Sequence, residues 1–253
     1  MIVCGKSVKG PYREKNEDFL GFKRSGEHLI LALSDGIGGA PCGEEAAKLA
    51  VDTSLAYISE MLDDDIPDEK IDQILDDAFN HANKNIVKTG FSDINKLGMG
   101  ATLVACIIKG NRIKIANIGD SRAYIVHGSN ITRVTKDHNL AEELVRMGKI
   151  NEKEAETNPA KNQLLKYLGE NRFISPDIYS YNIIYGDYIF LCSDGLYSFV
   201  SKEDMVDAFR KDRSHLDALV TNMIEKALES GSKDNITLIA ANIKPGEVIG
   251  EIL

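Results

Sequence analysis

Aspartates recur where short apolar, strand-like segments of the chain begin or end. Three of them directly follow such a segment: Asp35, Asp120 and Asp194. Two others come just before one: Asp18 and Asp234. Glycine follows two of these residues, in Asp35-Gly36 and Asp194-Gly195, and lets the backbone bend tightly and turn a carbonyl inward. Carboxylates placed in this way suit a single polar site at the ends of a sheet.

Turn formation is the alternative explanation for each Asp-Gly pair, because Asp and Gly are the commonest turn residues. If the carboxylates converge, they need cations between them, since two carboxylates about 4 Å apart repel by roughly 4 kcal/mol at an effective dielectric of 20. Ligands that are all oxygen select Mg²⁺ or Mn²⁺ over Zn²⁺. Two such ions about 4 Å apart lower the pKa of a shared water and hold a phosphate for in-line attack. A convergent set therefore predicts metal-assisted phosphoester hydrolysis.

Arg13 fits the same chemistry. It lies five residues before Asp18, on a polar segment between two predicted strands. A guanidinium at this place can hold a phosphate through two parallel hydrogen bonds. The alternative is a surface arginine paired with Glu14 or Glu17.

Composition excludes several classes of protein. The chain has 253 residues, 43% of them hydrophobic, which is enough for one large or two small domains with a packed core. Its net charge of −9 disfavours a nucleic-acid or lipid surface. The four cysteines form no CxxC pair, so simple zinc and thioredoxin motifs are absent. The longest apolar run, 101–108, is far shorter than the ~20 residues of a membrane helix. With no visible signal peptide, we expect a cytoplasmic protein.

The periodicity of apolar residues indicates which elements carry these groups. Strands are predicted at 2–8, 18–23, 29–33, 101–108, 112–118, 123–127, 177–184, 188–192 and 236–242, with another starting at Ile131. Helices are predicted at about 44–62, 69–88, 202–210 and 215–228, and short helices with loops at 137–171. Strands and helix pairs in separate blocks favour an α+β protein with helices covering antiparallel sheets.

Six short motifs occur in order along the chain: Arg13-x-x-Asn16-Glu17-Asp18, Asp35-Gly36-Ile37-Gly38-Gly39, Gly98-Met99-Gly100-Ala101-Thr102, Gly119-Asp120-Ser121-Arg122, Ser193-Asp194-Gly195-Leu196 and Asp234-Asn235. Together they resemble the metal-dependent protein serine/threonine phosphatases, the PPM or type-2C family, in its compact bacterial form. The resemblance spans residues 13–243. It implies a four-layer α–β–β–α sandwich, with two mainly antiparallel sheets flanked by helices and a two-metal site at one edge of the sheets.

The resemblance also implies roles for the metal ligands. Asp35 corresponds to the carboxylate that bridges two Mn²⁺ or Mg²⁺ ions, and Gly36 to the residue whose carbonyl binds one of them. The remaining ligands of the other ion correspond to Asp194 and Asp234. In the family the residue at Asp18 accepts hydrogen bonds from metal-bound waters, and Asp120, with help from Asp194, corresponds to the ligand of a third, weaker ion.

Arg13 corresponds to the arginine that grips the phosphate. The nucleophile of the family is a water or hydroxide that bridges the metals, without a phosphoenzyme. Residues 136–168 resemble the segment that leads into a mobile flap beside the site. The implied partners are phosphorylated proteins, including a bacterial Ser/Thr kinase and its substrates, and the chain is expected to be a monomer. We expect one catalytic domain over 1–244 and a short C-terminal extension over 245–253, either an ordered cap or a frayed end.

The sequence departs from the family pattern at one important place. Family members often have a histidine just after the Asp-Gly or the Gly-Gly pair, where this chain has Ile37 and Ala40. A histidine that protonates the leaving oxygen is typically worth 10²–10⁴-fold in rate. Low turnover and a metal-bound water as the acid are both open, and the alternative function is a pseudophosphatase that binds phosphoproteins with little turnover. Ala101, where threonine is usual, is interpreted as a packing change.

Two other phosphate-binding motifs are weaker. Cys106 and Arg112 have the C-x₅-R spacing of cysteine-dependent phosphatases, which require a helix directly after the loop. Here a strand is predicted instead, so a hairpin with a buried Cys106 is favoured. The glycine-rich stretch 38–45 has Glu44 where a P-loop requires lysine, and the glutamate would repel a phosphate.

Overall fold

The computed structural model describes residues 1–38, 40–211, 215–244 and 249–253. The strands in these ranges are β1 (Ile2–Val8), β2 (Asp18–Ser25), β3 (His28–Asp35), β4 (Leu103–Lys109), β5 (Arg112–Ile118), β6 (Arg122–His127), β7 (Asn130–Arg133), β8 (Asp177–Asn182), β9 (Tyr188–Cys192), β10 (Ile236–Asn242) and β11 (Ile249–Ile252). The helices are α1 (Gly43–Met61), α2 (Asp68–Ser92), α3 (Leu140–Arg146), α4 (Glu152–Thr157), α5 (Asp194–Tyr197), α6 (Lys202–Lys211) and α7 (Leu216–Glu229). Short 3₁₀ turns occur at Ile94–Lys96 and Pro159–Asn162.

The strands form two sheets. One has six strands in the order β11-β1-β10-β9-β6-β7, and the other has five in the order β2-β3-β4-β5-β8. All pairs are antiparallel except β1 with β11. Helices α1 and α2 contact the five-stranded sheet, and α7 contacts the six-stranded sheet through β1 and β10. The expected α–β–β–α sandwich is therefore confirmed.

Alternation along β3 shows why the sequence gives two sheets with helices outside. Leu29, Leu31 and Leu33 point between the sheets, into a core shared with residues of β9 and β10. Ile30 and Ala32 point the other way and pack against the apolar faces of α1 and α2. Side chains of a strand alternate between the two faces of its sheet, so a strand that is apolar on both faces must be covered on both sides. The six-stranded sheet buries a corresponding outer layer beneath α6 and α7.

Most predicted elements lie where expected, and the differences are at their ends. The strands predicted at 2–8, 112–118 and 236–242 coincide with β1, β5 and β10. Helix α2 continues to Ser92, four residues beyond its predicted end. Within the C-terminal extension, 245–248 lie outside the described residues. The last part of it forms β11, which pairs parallel with β1 from Ile2 to Gly5. The domain boundary at 244 itself stays a prediction.

The hairpin interpretation of the C-x₅-R segment is confirmed. Cys106 is fully buried in β4, and Arg112 begins β5 directly across from Lys109. Burial raises the pKa of the Cys106 thiol well above its usual range, the opposite of what a nucleophilic thiol requires. None of the helices in the described part of the chain combines the length and the apolar composition needed to cross a bilayer.

Candidate active site

Loops from both sheets surround one polar cavity of about 310 Å³ at the edge of the sandwich. We call it the aspartate cavity; its lining comprises Arg13, Glu17, Asp35, Gly36, Ile37, Gly38, Thr102, Asp120, Asn162, Leu164, Asp194, Asp234 and Asn235. Four of the five aspartates singled out in the sequence line this cavity, and the fifth, Asp18, is buried beside Asp35. The structure thus brings together aspartates that are up to 216 positions apart, Asp18 and Asp234.

Asp35 is held at the cavity by the start of β4. It is the last residue of β3, where its backbone N–H donates to Thr102 Oγ1 at 2.9 Å and its carbonyl accepts from the Thr102 N–H at 2.8 Å. Gly36 follows where the chain passes α1, and an added Cβ would lie 2.4 Å from the Gly43 carbonyl oxygen. Only glycine therefore fits at position 36, next to the carboxylate that the sequence marks as the central ligand.

Asp18 lies directly opposite Asp35 in the β2–β3 register. Only 6% of its surface is exposed. The Ser193 hydroxyl donates to Asp18 Oδ2 at 2.7 Å, while Asp18 Oδ1 is buried with no hydrogen-bond partner among the described atoms. A buried carboxylate oxygen without a donor is costly. It marks a position that a hydrogen-bond donor or a cation would stabilise.

Asp194 and Asp234 come from two loops that are packed tightly together. Asp194 begins α5, and Asp234 precedes β10. At Gly195 an added Cβ would lie 2.0 Å from the Asn235 carbonyl oxygen, so any larger residue would push the two loops apart. The Asn235 side chain accepts from the Glu17 N–H at 2.9 Å and so ties the second loop to the segment that carries Arg13 and Asp18.

Asp120 enters the cavity from the turn after β5. The next residue, Ser121, shares a 2.7 Å hydroxyl–hydroxyl hydrogen bond with Thr102, the residue that also holds Asp35. Burial, followed by the charges of Asp194 and Asp137, raises the pKa of Asp120 well above its usual range. Thr102 therefore contacts both the backbone of Asp35 and the side chain of the residue that follows Asp120.

The pKa values of Asp18, Asp35 and Asp194 are raised because these carboxyl groups are shielded from water and lie near one another. Burial is the largest cause for each of them. It raises the pKa of Asp18 to about 6 and that of Asp194 to about 7, the latter with help from Asp234. The pKa of Asp35 is raised well above its usual range by burial and then by Asp18 and Asp194. The site therefore opposes full ionisation of its carboxylates unless positive charge enters it.

Arg13 supplies some of that positive charge. Its Nη2 donates to Asp234 Oδ2 at 2.6 Å, and the side chain is 37% exposed. This hydrogen bond, together with the charges of Asp234, Glu17 and Asp35, raises the pKa of the guanidinium. The arginine thus lines the cavity and pairs with Asp234 rather than with Glu14 or Glu17, the alternative partners considered from the sequence.

The donor set fits hard divalent ions. The aspartates and the Gly36 carbonyl offer oxygen alone, and the unpartnered Asp18 Oδ1 and the raised pKa values both call for a cation. The side chains share the cavity without closing on one point: the described residues contain no group of three or more His, Cys, Asp or Glu side chains already arranged as a metal chelate.

The segment 136–168 forms one wall of the cavity and has the short helices that were expected. Asn139 caps α3 and is bridged to Leu164, while the Leu165 N–H donates to the His138 carbonyl, so the segment folds back on itself. Asn162 and Leu164 reach the cavity. No histidine is found among the lining residues that the structure describes. Gly39 lies outside the described residues.

Three contributors were not singled out from the sequence. Ser193 holds Asp18, and Asn162 and Leu164 complete the wall. The serine stands directly before Asp194 in its motif, a signal that was available. The two wall residues lie in a polar segment with no pattern of its own, and only the fold brings them to the cavity. Ala101 is fully buried and forms bridges to both Gly36 and Leu168, in agreement with a packing role.

A family model described as protein phosphatase 2C matches residues 13–229. The chain belongs to this family. It is similar to the serine/threonine phosphatase Stp of Listeria welshimeri, with 34% identity over 238 residues that cover 92% of each chain. The chain is therefore a protein serine/threonine phosphatase.

Solved structures support the assignment. The serine/threonine phosphatase Stp1 of Staphylococcus aureus has a TM-score of 0.88 at 29% identity, covering 96% of this chain and 94% of that one. The catalytic domain of the serine/threonine protein phosphatase PstP, solved in complex with two manganese ions, has a TM-score of 0.81 at 31% identity and covers 95% of this chain and 96% of its own. The similarity extends over nearly the whole of this phosphatase chain.

Proposed function

We propose that this phosphatase hydrolyses phosphoserine and phosphothreonine in proteins at a binuclear Mn²⁺ or Mg²⁺ centre in the aspartate cavity. The observation that carries the proposal is the meeting of Asp35, Asp194 and Asp234, from three separate segments, in one cavity where they offer carboxylate oxygens. The manganese complex of PstP supports the choice of metal. When bound, two such ions lower the pKa of a shared water and neutralise the phosphate.

Each of the aspartates and Gly36 would have its own role at the metal centre. Asp35, held by Thr102, would be a ligand of both ions; the Gly36 carbonyl would help to hold one of them, and Asp194 and Asp234 the other. Asp18, fixed by Ser193, would orient waters at the edge of the centre. Asp120 would hold a third, weaker ion together with Asp194.

Arg13 would bind the phosphate. Its guanidinium pairs with Asp234 at 2.6 Å, and with Asp234 engaged as a metal ligand the arginine would be free to donate two hydrogen bonds to phosphate oxygens. Because Arg13 is only partly buried, this change requires no repacking of the core.

Without a histidine in the described wall of the cavity, the leaving serine or threonine oxygen would take its proton from solvent or from a water on the centre. Phosphorylated proteins, including the targets of a bacterial Ser/Thr kinase, are the proposed substrates. The comparisons give no support to the alternative of a pseudophosphatase that only binds phosphoproteins.

The test is phosphate release from a phosphothreonine peptide with Mn²⁺ or Mg²⁺, repeated in EDTA. We expect turnover with either ion and none in the chelator. Anomalous scattering from crystals soaked in Mn²⁺ should show two strong peaks beside Asp35 and a weaker one at Asp120 that Asp120→Ala removes. Peptide binding without turnover in Mn²⁺ would favour the pseudophosphatase, and turnover that survives EDTA would contradict the metal mechanism.

A further inference from the structure

A second cavity, of about 380 Å³, lies between helix α2 and residues 170–173. We propose that it is a docking site for an acidic segment of the phosphoprotein substrate, next to the aspartate cavity. We call it the α2 cavity; its lining comprises Asn80, Asn83, Lys84, Val87, Lys88, Glu170, Asn171, Arg172 and Phe173. The proposal rests on the proposed function, because it names a part of the same substrate.

The outer wall of the α2 cavity is fixed by two buried amides of α2. Asn83 accepts from the Gly169 N–H at 2.7 Å and donates to the Glu170 and Arg172 carbonyls at 2.9 and 3.0 Å. One turn earlier, Asn80 exchanges two hydrogen bonds with the backbone of Ile174. The loop is thus clamped to the helix along its length, and the cavity between them is preformed, as a specific binding site requires.

The charge of the α2 cavity is positive, although the chain as a whole carries −9. Lys84 and Lys88 lie one turn apart on the same exposed face of α2, and neither takes part in an ion pair formed by the described residues. Arg172 adds a third cation, of which Glu170 neutralises part through a 2.8 Å contact. Two lysines without carboxylate partners favour an acidic ligand by charge complementarity.

Apolar groups at the same place favour a protein segment as the ligand. Phe173 lines the α2 cavity with 73% of its surface exposed, and Val87 lies between the two lysines on α2. Phe91, 67% exposed, follows Lys84 and Lys88 at helical spacing and extends the same face. Exposed aromatic rings beside cations suit a peptide with both acidic and apolar side chains.

The two cavities share one segment of chain. Asn162 and Leu164 line the aspartate cavity, and the α2 cavity begins at Glu170, six positions beyond Leu164. Six residues span at most about 22 Å even when fully extended. Between them, Leu168 exchanges two backbone hydrogen bonds with Ala101, which also bridges Gly36. A substrate with its phosphoresidue in one cavity can therefore reach the other with a short flanking segment.

The test uses phosphothreonine peptides that carry a segment of acidic and aromatic residues, joined to the phosphothreonine by six to eight Gly and Ser residues on its N-terminal or its C-terminal side. They are compared with peptides in which glutamine replaces the acidic residues. In the wild type the acidic segment should lower KM about fivefold, the effect of two solvent-exposed charge contacts. Lys84→Glu combined with Lys88→Glu should abolish this difference, and Phe173→Ser should reduce it. Turnover of para-nitrophenyl phosphate, which is too small to reach both cavities, should be unchanged in both variants.

The matched control is Lys202→Glu combined with Lys211→Glu on α6, which changes the net charge equally on the opposite face of the sandwich. It should retain the preference for the acidic peptide. Equal KM values for the acidic and glutamine peptides, or the same loss in the control variant, would overturn the docking site while leaving the proposed function intact. If instead the wild type hydrolyses neither substrate with Mn²⁺, the proposed function fails, and fluorescence anisotropy of a labelled acidic segment still tests docking without turnover.

Discussion

A buried carboxylate, that of Asp137, lies near the partly buried aspartates of the aspartate cavity, and the two are neutralised in different ways. Asp137 has a side chain that is 4% exposed and is held by two arginines, with Arg122 Nη2 at 2.7 Å and Arg133 Nη2 at 2.9 Å. Tyr197 stacks on Arg122, whose Cζ lies 3.5 Å from the ring centroid. Among the described residues that line the aspartate cavity, Arg13 is the one with a cationic side chain.

This difference in pairing separates a carboxylate with a structural role, Asp137, from the carboxylates of the proposed metal site. A buried carboxylate with a full set of donors needs nothing more and fixes the fold around it. Carboxylates that raise one another's pKa values are stable as anions only when a cation joins them. The number of hydrogen-bond donors that the fold supplies to a carboxylate, rather than its burial alone, therefore distinguishes the cavity aspartates from the structural Asp137.

The largest effect is expected from Asp35→Asn. The change removes the charge that both ions would share, and kcat should fall by about 10³-fold, the upper end of what loss of one preorganised electrostatic contact costs. The melting temperature of the metal-free variant should not fall, because a source of repulsion has been removed. Steady-state kinetics in Mn²⁺ and thermal melts in EDTA measure the two effects. A rate near that of the wild type would show that Asp35 is not at the centre.

On the other side of the comparison, Arg122→Met should damage stability. Removing one partner of a buried ion pair leaves an uncompensated charge and costs about 3 kcal/mol, or about 10 °C in Tm for a chain of this size. The control is Arg146→Met, whose side chain is 74% exposed in its pair with Glu143 and whose loss should leave Tm unchanged. Equal melting temperatures for the two variants would mean that the Asp137 cluster is not a structural support.

The sequence predicted one of these two regions and not the other. The cavity aspartates were found because each stands at a strand end within a motif, a local signal. Asp137 carries no such signal. Arg133 lies only four positions before it, but Arg122, although it ends one of the motifs, lies 15 positions away and reaches the same carboxylate through the β6–β7 hairpin.

The same distinction explains the other differences between prediction and structure. Apolar alternation is local and predicted β5 and β10 with their ends, whereas β11 is a short edge strand whose position depends on pairing with β1 at the far end of the chain. Arg13 was linked to phosphate by its motif, but its 2.6 Å pairing with Asp234, 221 positions away, follows from the tertiary fold.

A smaller effect is expected from Arg13→Ala. If the arginine grips the phosphate, KM for a phosphopeptide should rise about tenfold while kcat changes less. Mn²⁺ affinity should not weaken, because the variant frees Asp234 from its ion pair. Arg13→Lys retains the charge without the two-pronged geometry and should recover only part of the loss. Isothermal titration with Mn²⁺ gives the affinity, and an unchanged KM would contradict the phosphate role.

The smallest effect concerns the pH dependence of stability in the absence of metal. The pKa of Asp18 is raised to about 6 and that of Asp194 to about 7, so the folded state binds protons more tightly than the unfolded chain, in which these groups titrate near 4. Stability from these groups is therefore present at low pH and is lost as pH rises through these values. In EDTA, Tm should fall by a few degrees between pH 5.5 and 7.5, and Asp194→Asn should flatten the decline.

Metal ions should reverse this trend, because they bind the ionised carboxylates and replace the protons. The rise in Tm on adding saturating Mg²⁺ should be larger at pH 7.5 than at pH 5.5 in the wild type and smaller at both in Asp194→Asn. Arg122→Met, in the Asp137 cluster, should lower Tm at both pH values. A metal effect that is independent of pH would mean that protons and metal ions do not compete for the same carboxylates.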